Sequence, residues 1–160
     1  MTEEFTDEYW MGVCLQLAER AAREGEVPVG AIVVLDDRVI GQGYNVREST
    51  GDPTAHAEIV ALREAARTLG HWRILNATMY VTLEPCTMCA GALVNARVRR
   101  VVYGCADGKS GAVESLYTIP TDVRLNHRLD VTSGCRADEC VALLRAFFRE
   151  KRRAAVKKKA

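Results

Sequence analysis

Across 160 residues, no apolar stretch approaches the ~20 residues that a membrane-spanning helix requires. The start of the chain has no apolar run followed by a small-residue cleavage site. No secretory leader is therefore expected, and the six cysteines are expected to be reduced thiols of a cytoplasmic protein. Internal repeats, low-complexity tracts and interdomain linkers are also missing, so one domain is the expected organisation. A second Cys-x-x-Cys pair is lacking as well. Cys135 and Cys140 are five apart and Cys105 is isolated, which argues against a four-thiol structural zinc site.

The composition is that of an ordinary globular chain, 48% apolar and 27% charged. Its net charge of +1 conceals an asymmetry. Eight basic residues and one acid between Arg145 and Ala160 give +7, which leaves −6 on the remainder. The expected division is a domain over residues 1–150 and a basic tail over 151–160. Such a tail either neutralises nucleic-acid phosphates or is a solvated, frayed helix end.

Trp10, Val13, Cys14, Leu17, Ala18 and Ala21 recur at helical spacing and predict a helix over Asp7–Arg23, with Thr6 as its cap, Gly25 as its stop and Cys14 in the core. Val29–Leu35 and Arg38–Ile40 flank Asp36-Asp37 and read as a hairpin. Gly41, Gly43 and Asn45 break that pattern, and the second strand is expected to end near Tyr44–Arg47. A helix follows from about Ala55 to Leu69, capped by Thr54 and closed by Gly70. Ala77–Leu83 is a third strand, after which Pro85 opens a helix from its first position. Val98–Tyr103 is a fourth strand, Gly104–Gly111 a loop, Val123–Thr132 a weaker strand, and the last helix runs from about Arg136 past Phe148. Alternating strands and helices predict a layered α/β domain with a sheet that is mixed because it begins with a hairpin.

The chemistry concentrates in Thr54-Ala55-His56-Ala57-Glu58 and Glu84-Pro85-Cys86-Thr87-Met88-Cys89. One imidazole and two thiols can hold Zn²⁺ and leave its fourth position open to water, the layout of a catalytic site. Cys86 and Cys89 are three apart at a helix start, so both thiols fall on one face, where the helix dipole favours thiolate. His56 and Glu58 are two apart and would diverge in mid-helix; at a helix N-terminus they can converge. Glu58 then becomes the candidate general acid–base beside the metal. His71 and His127 lack such company and read as ordinary polar residues.

His-Ala-Glu followed by Pro-Cys-x-x-Cys resembles the signature of the zinc nucleoside and nucleobase deaminases. The likeness continues through EVPVGAIVV (Glu26–Val34), DPTAHAE (Asp52–Glu58), YVTLEPCTMCAGAL (Tyr80–Leu93), RVVYG (Arg100–Gly104), LNHR (Leu125–Arg128) and ADECVALLRAFFR (Ala137–Arg149). Collinear along nearly the whole chain, these stretches are similar to the bacterial transfer-RNA-specific adenosine deaminases. The resemblance implies a cytidine deaminase-like three-layer α/β/α fold with a mixed five-stranded sheet. It also implies a homodimer, one zinc ion per subunit, no nucleotide cofactor, no membrane association and an RNA site shared between subunits. The implied reaction converts the wobble adenosine of an arginine tRNA anticodon stem-loop to inosine, with zinc-bound water as the nucleophile.

Carried over by position, the resemblance gives His56, Cys86 and Cys89 the zinc and Glu58 the proton transfers. It gives the Ala57 N–H, Val29, Asn45 and Leu83 the base and ribose, and Asp107 and Lys109 the anticodon loop. Glu114–Arg124 is the least family-like stretch. Two rivals share parts of this pattern: a deaminase of a free base, nucleoside or nucleotide, and an RNA-binding module with a structural zinc.

Overall fold

A computed structural model describes residues 5–159 of the chain. Five strands form one mixed sheet in the order β2-β1-β3-β4-β5: β1 (Gly30–Leu35), β2 (Arg38–Tyr44), β3 (Thr78–Leu83), β4 (Arg100–Cys105) and β5 (Asp130–Thr132). β1 is antiparallel to β2 and β3, whereas β3, β4 and β5 run parallel. The hairpin turns on Asp36 and Asp37, both at positive φ (50° and 58°), the conformation that a two-residue connection between right-twisted strands needs.

The strands are rich in β-branched residues, and alternate side chains supply two separate cores. Ala31, Val33, Met79, Val81, Val101 and Tyr103 face one way, under α3 (Ala57–Leu69) and α4 (Thr87–Asn95). Ile32, Val34, Tyr80 and Val102 face the other way, under α1 (Asp7–Arg23) and α5 (Ala137–Lys159). The layers are therefore α/β/α around a mixed five-stranded sheet, as the resemblance implies. Each fully buried Val, Ile or Met side chain contributes roughly 1.5–3 kcal/mol. α1 is fastened at its start, where Arg100 donates to both oxygens of Asp7 (3.0 and 2.6 Å) and Tyr80 donates to Asp7 at 2.9 Å.

β2 ends at Tyr44 through two glycines that let α3 lie directly on it. A Cβ on Gly41 or Gly43 would strike the α3 backbone at Ala57, Ala61 or Ala65. That close approach brings the start of α3 over the ends of β1 and β3.

Four local expectations are corrected. α3 is capped by His56 rather than Thr54, because the Thr54 N–H and hydroxyl both donate to Asp52 (2.8 and 2.7 Å) in a preceding turn. α4 is capped by Cys86, so Pro85 lies outside that helix, where its carbonyl accepts from Ala112 N–H. The strand expected over Val123–Thr132 shrinks to Asp130–Thr132, the stretch that pairs with β4. Upstream of it, Asp122 accepts from the Arg124 N–H and guanidinium in a local turn. A short helix, α2 (Arg47–Thr50), occupies what the sequence presents as loop. α5 runs through residues 150 and 151 without a break and stays helical to Lys159. No helix among the described residues is long and apolar enough to cross a membrane.

Candidate metal and catalytic site

Two helix N-termini meet at the carboxyl end of β3. His56 caps α3 in extended conformation (φ −73°, ψ 155°), which leaves Glu58 in that helix's first turn. Cys86 caps α4 (φ −75°, ψ 179°), which leaves Cys89 in its first turn. Both caps turn a side chain across a helix end, and both ends carry the partial positive charge that favours anionic ligands. This placement answers the problem of the i, i+2 pair, since His56 stands just outside α3 and Glu58 just inside it.

His56 Nδ1 lies 3.6 Å from Cys86 Sγ and 3.6 Å from Cys89 Sγ. The three donor atoms fall within 4.8 Å of one another, and among the described residues no other such group of His, Cys, Asp or Glu occurs. Metal bonds of about 2.1 Å to nitrogen and 2.3 Å to sulfur, opening at a tetrahedral angle, separate N from S by roughly 3.6 Å. The donor set therefore fits zinc in type and in spacing. It supplies three ligands, and a tetrahedral ion keeps a fourth position.

The ionisation pattern follows from this crowding. A hydrogen bond from Cys89 brings Cys86 down to about 4, with His56 adding to the effect against the cost of burial. Cys89 moves the opposite way, driven up by that same bond and by its burial near Glu58. The two thiols are thus driven apart, Cys86 toward thiolate and Cys89 toward thiol, and His56 is raised by its bond to Cys86. Glu58 is only 4% exposed; burial first, and the nearby Cys86 charge next, push it up to about 7. A carboxyl held there can both accept and release a proton near neutrality.

A cleft of about 150 Å³ opens on this group. It is smaller than the ~300 Å³ at which small-molecule sites usually begin, and it admits a flat ring and little more. Val29, Asn45, Ala57, Leu83 and Asp107 line it, as do His56, Glu58 and Cys86. Asn45 is locked by its own amide, which donates to Val27 O (3.3 Å) and accepts from Arg47 N (3.1 Å). Lys109 stands apart, in an adjoining groove with Arg145, Phe148 and Arg152 of α5. Asp107 turns its carboxylate onto its own loop, accepting from Lys109 N, Ser110 N and Ser110 Oγ. His71 and His127 lie elsewhere, bonded to Arg73 N and Val98 O.

The sequence reading missed Arg47, Ser110 and Glu84 in the cleft wall. It also missed Glu26, 1% exposed, which accepts from the Glu48 and Ser49 N–H groups (2.9 and 2.8 Å) and so holds α2 at the rim. A glutamate among apolar residues, as in Glu26-Val27-Pro28-Val29, was the available signal for that clamp.

These features define an α/β protein with a small cleft and a buried acid beside a group of residues that could hold a metal. The family described as the cytidine and deoxycytidylate deaminase zinc-binding region matches residues 5–105. A tRNA-specific adenosine deaminase of Haemophilus influenzae is 50% identical over 147 residues, 91% of this chain and 85% of its own. A structure from work on A-to-I editing by tRNA:A34 deaminases at the wobble position of transfer RNA superposes with a TM-score of 0.82. It is 45% identical and covers 85% of this chain and 99% of that one. The structure of NE0047 in complex with 2,6-diaminopurine has a TM-score of 0.77 at 26% identity, over 90% of this chain and 82% of that one. The chain belongs to the cytidine and deoxycytidylate deaminase zinc-binding family and, within it, groups with the tRNA-specific adenosine deaminases. Zinc is the metal that the family and the donor set together support.

Proposed function

We propose that this protein deaminates the wobble adenosine of an arginine tRNA anticodon hydrolytically, giving inosine. One observation carries the reading: a nearly inaccessible Glu58 stands beside a His/Cys/Cys donor group at the head of a cleft sized for a single base. His56, Cys86 and Cys89 hold zinc, which when bound activates a water for attack on adenine C6. Glu58 would take one proton from that water and place it on N1, then carry the remaining proton of the new C6 hydroxyl to the amino group, which leaves as ammonia when the C6–N bond breaks. The Ala57 N–H, at the start of α3, steadies the base. Val29, Asn45 and Leu83 enclose the base and ribose, while Asp107 and Lys109 meet the surrounding loop. The base must leave its stack to enter, which costs least in an unpaired anticodon loop. The protein acts in the cytoplasm as a homodimer.

A free-purine substrate is the second reading, favoured by the likeness to NE0047 with its bound 2,6-diaminopurine. The groove where Lys109 meets Arg145, Phe148 and Arg152 supports a polymer instead, since cations interleaved with an aromatic ring suit phosphates and bases together. Incubation with an anticodon stem-loop at rising salt separates the two. Inosine formation that falls steeply with salt supports RNA; flat salt dependence and turnover of free purine support the rival.

A further inference from the structure

The loop after β4 forms one wall of the cleft through Asp107 and Ser110. Val113 seats the far end of the loop in the apolar core, and two carboxylates, Asp107's own and that of Glu84, hold the rest. Glu84 is 2% exposed and accepts from the N–H groups of Asp107 (3.0 Å), Val113 (3.1 Å), Glu114 (2.9 Å) and Ser115 (2.9 Å), and from the Ser115 hydroxyl. The backbone repeats the lacing, with Ala112 N–H donating to Pro85 O (2.8 Å) and Cys86 bridged to Gly111. A Cβ on Gly111 would collide with the Glu84 carboxyl and with Asp107 O, so glycine is what lets the loop close over that acid.

Glu84 stands two residues before Cys86, on the segment that carries the candidate metal ligand. The Glu84 side chain therefore ties the cleft wall to the segment that carries the candidate metal ligand. Five donors converge on two oxygens, and no other residue type supplies that acceptor capacity at this length. A glutamine here would turn an NH₂ toward N–H donors and release part of the loop.

We propose that Glu84 is a positioning residue, whose carboxylate fixes the loop from Asp107 to Ser115 and so sets how tightly the substrate is gripped beside the metal. The inference rests on the reading that this loop faces an RNA substrate. Both Glu84 oxygens are taken up by loop donors, so its removal alters grip more than chemistry.

The test uses the full-length zinc protein and its Glu84→Gln, Glu84→Asp and Ser115→Ala variants. Zinc content, amide exchange at residues 113–115, and single-turnover inosine formation on an anticodon stem-loop are measured in each. Glu84→Gln should keep its zinc, lose exchange protection at residues 113–115, and raise the half-saturating RNA concentration about tenfold or more, with a smaller change in maximal rate. Glu84→Asp should recover part of that loss. Ser115→Ala, which deletes one donor and leaves the carboxylate in place, should shift half-saturation a few-fold in the same direction. Unchanged exchange protection in Glu84→Gln overturns the clamp. So does lost protection with half-saturation unaltered, or a defect confined to zinc content and maximal rate. If Glu84→Gln does not fold, Ser115→Ala with unchanged exchange and half-saturation overturns it. Wild-type protein that makes no inosine overturns the substrate reading instead, and the exchange measurement then decides the clamp.

Discussion

Cys86 and Cys89 sit at the N-terminus of α4, whereas Cys14, Cys105, Cys135 and Cys140 are packed in the apolar layer beneath α1 and α5. The residue type is the same, but only Cys86 is drawn toward thiolate; Cys89 is driven up, as the buried thiols across the sheet are. Hydrogen bonding with Cys89, and then with His56, brings Cys86 down to about 4. Across the sheet, burial drives Cys14 well above its ordinary range and pushes Cys140 up to about 12. Cys14 spends its hydrogen on Tyr80 O at 3.4 Å and acts as a small apolar side chain. One face of the sheet thus carries a thiolate grouped with a second thiol and an imidazole, and the other carries inert thiols that fill space.

The comparison can be broken most directly at the site. Replacing Glu58 by alanine should keep zinc and lower inosine formation by about 10²–10⁴-fold, the usual share of general acid–base catalysis. Cys86→Ala should lose the metal as well, read as zinc per chain by atomic emission. Next in size is thiol reactivity. In chelator-treated protein, Cys86 should be alkylated on the order of 10²-fold faster at neutral pH than Cys14 or Cys140, as peptide mass spectrometry would report. Rapid labelling of Cys14 in folded protein would erase the distinction between the faces.

Cys14→Ala tests the structural face alone. It should cost about 1–2 kcal/mol in urea unfolding and leave zinc content unchanged. The smallest effect is electrostatic. A hydrogen bond from Arg100 holds Asp7 below the usual carboxylate range. Glu84 is buried, which opposes ionisation, yet the Ser115 hydroxyl and the loop N–H groups bring it down to about 2. Carboxylates with depressed folded values contribute stability above their unfolded pKa and lose it as pH falls through the folded one. The stability cost of Arg100→Met should therefore be full at pH 7 and shrink as the pH falls through and below the ordinary carboxylate range. A cost that does not change with pH would remove that ion pair from the account.

The two faces also differ in how far the sequence discloses them. Helical spacing displayed α1 and placed Cys14 inside it, because one buried stripe suffices for that inference. The hairpin was legible from Asp36-Asp37 between apolar runs. The His56, Cys86 and Cys89 group was legible as chemistry, although its caps were not. Thr54 and Pro85 are good local signals, but Asp52 captures Thr54, and the Ala112 pairing draws Pro85 out of the helix. Glu84 and Glu26 were hidden for a related reason. Each serves N–H groups more than twenty residues away, and local propensity carries no record of such partners. The strand expected over Val123–Thr132 failed where β4 offers pairing only to its last three residues.

The central claim is that Glu58 moves protons at a zinc held by His56, Cys86 and Cys89, with adenosine in RNA as the substrate. Sequencing an anticodon stem-loop after incubation with wild-type and Glu58→Ala protein, each with its zinc content measured, tests it directly. The account predicts adenosine-to-inosine change at the wobble position with wild type, and about 10²–10⁴-fold less with a variant that still holds one zinc per chain. Full editing by the zinc-loaded Glu58→Ala protein would contradict it.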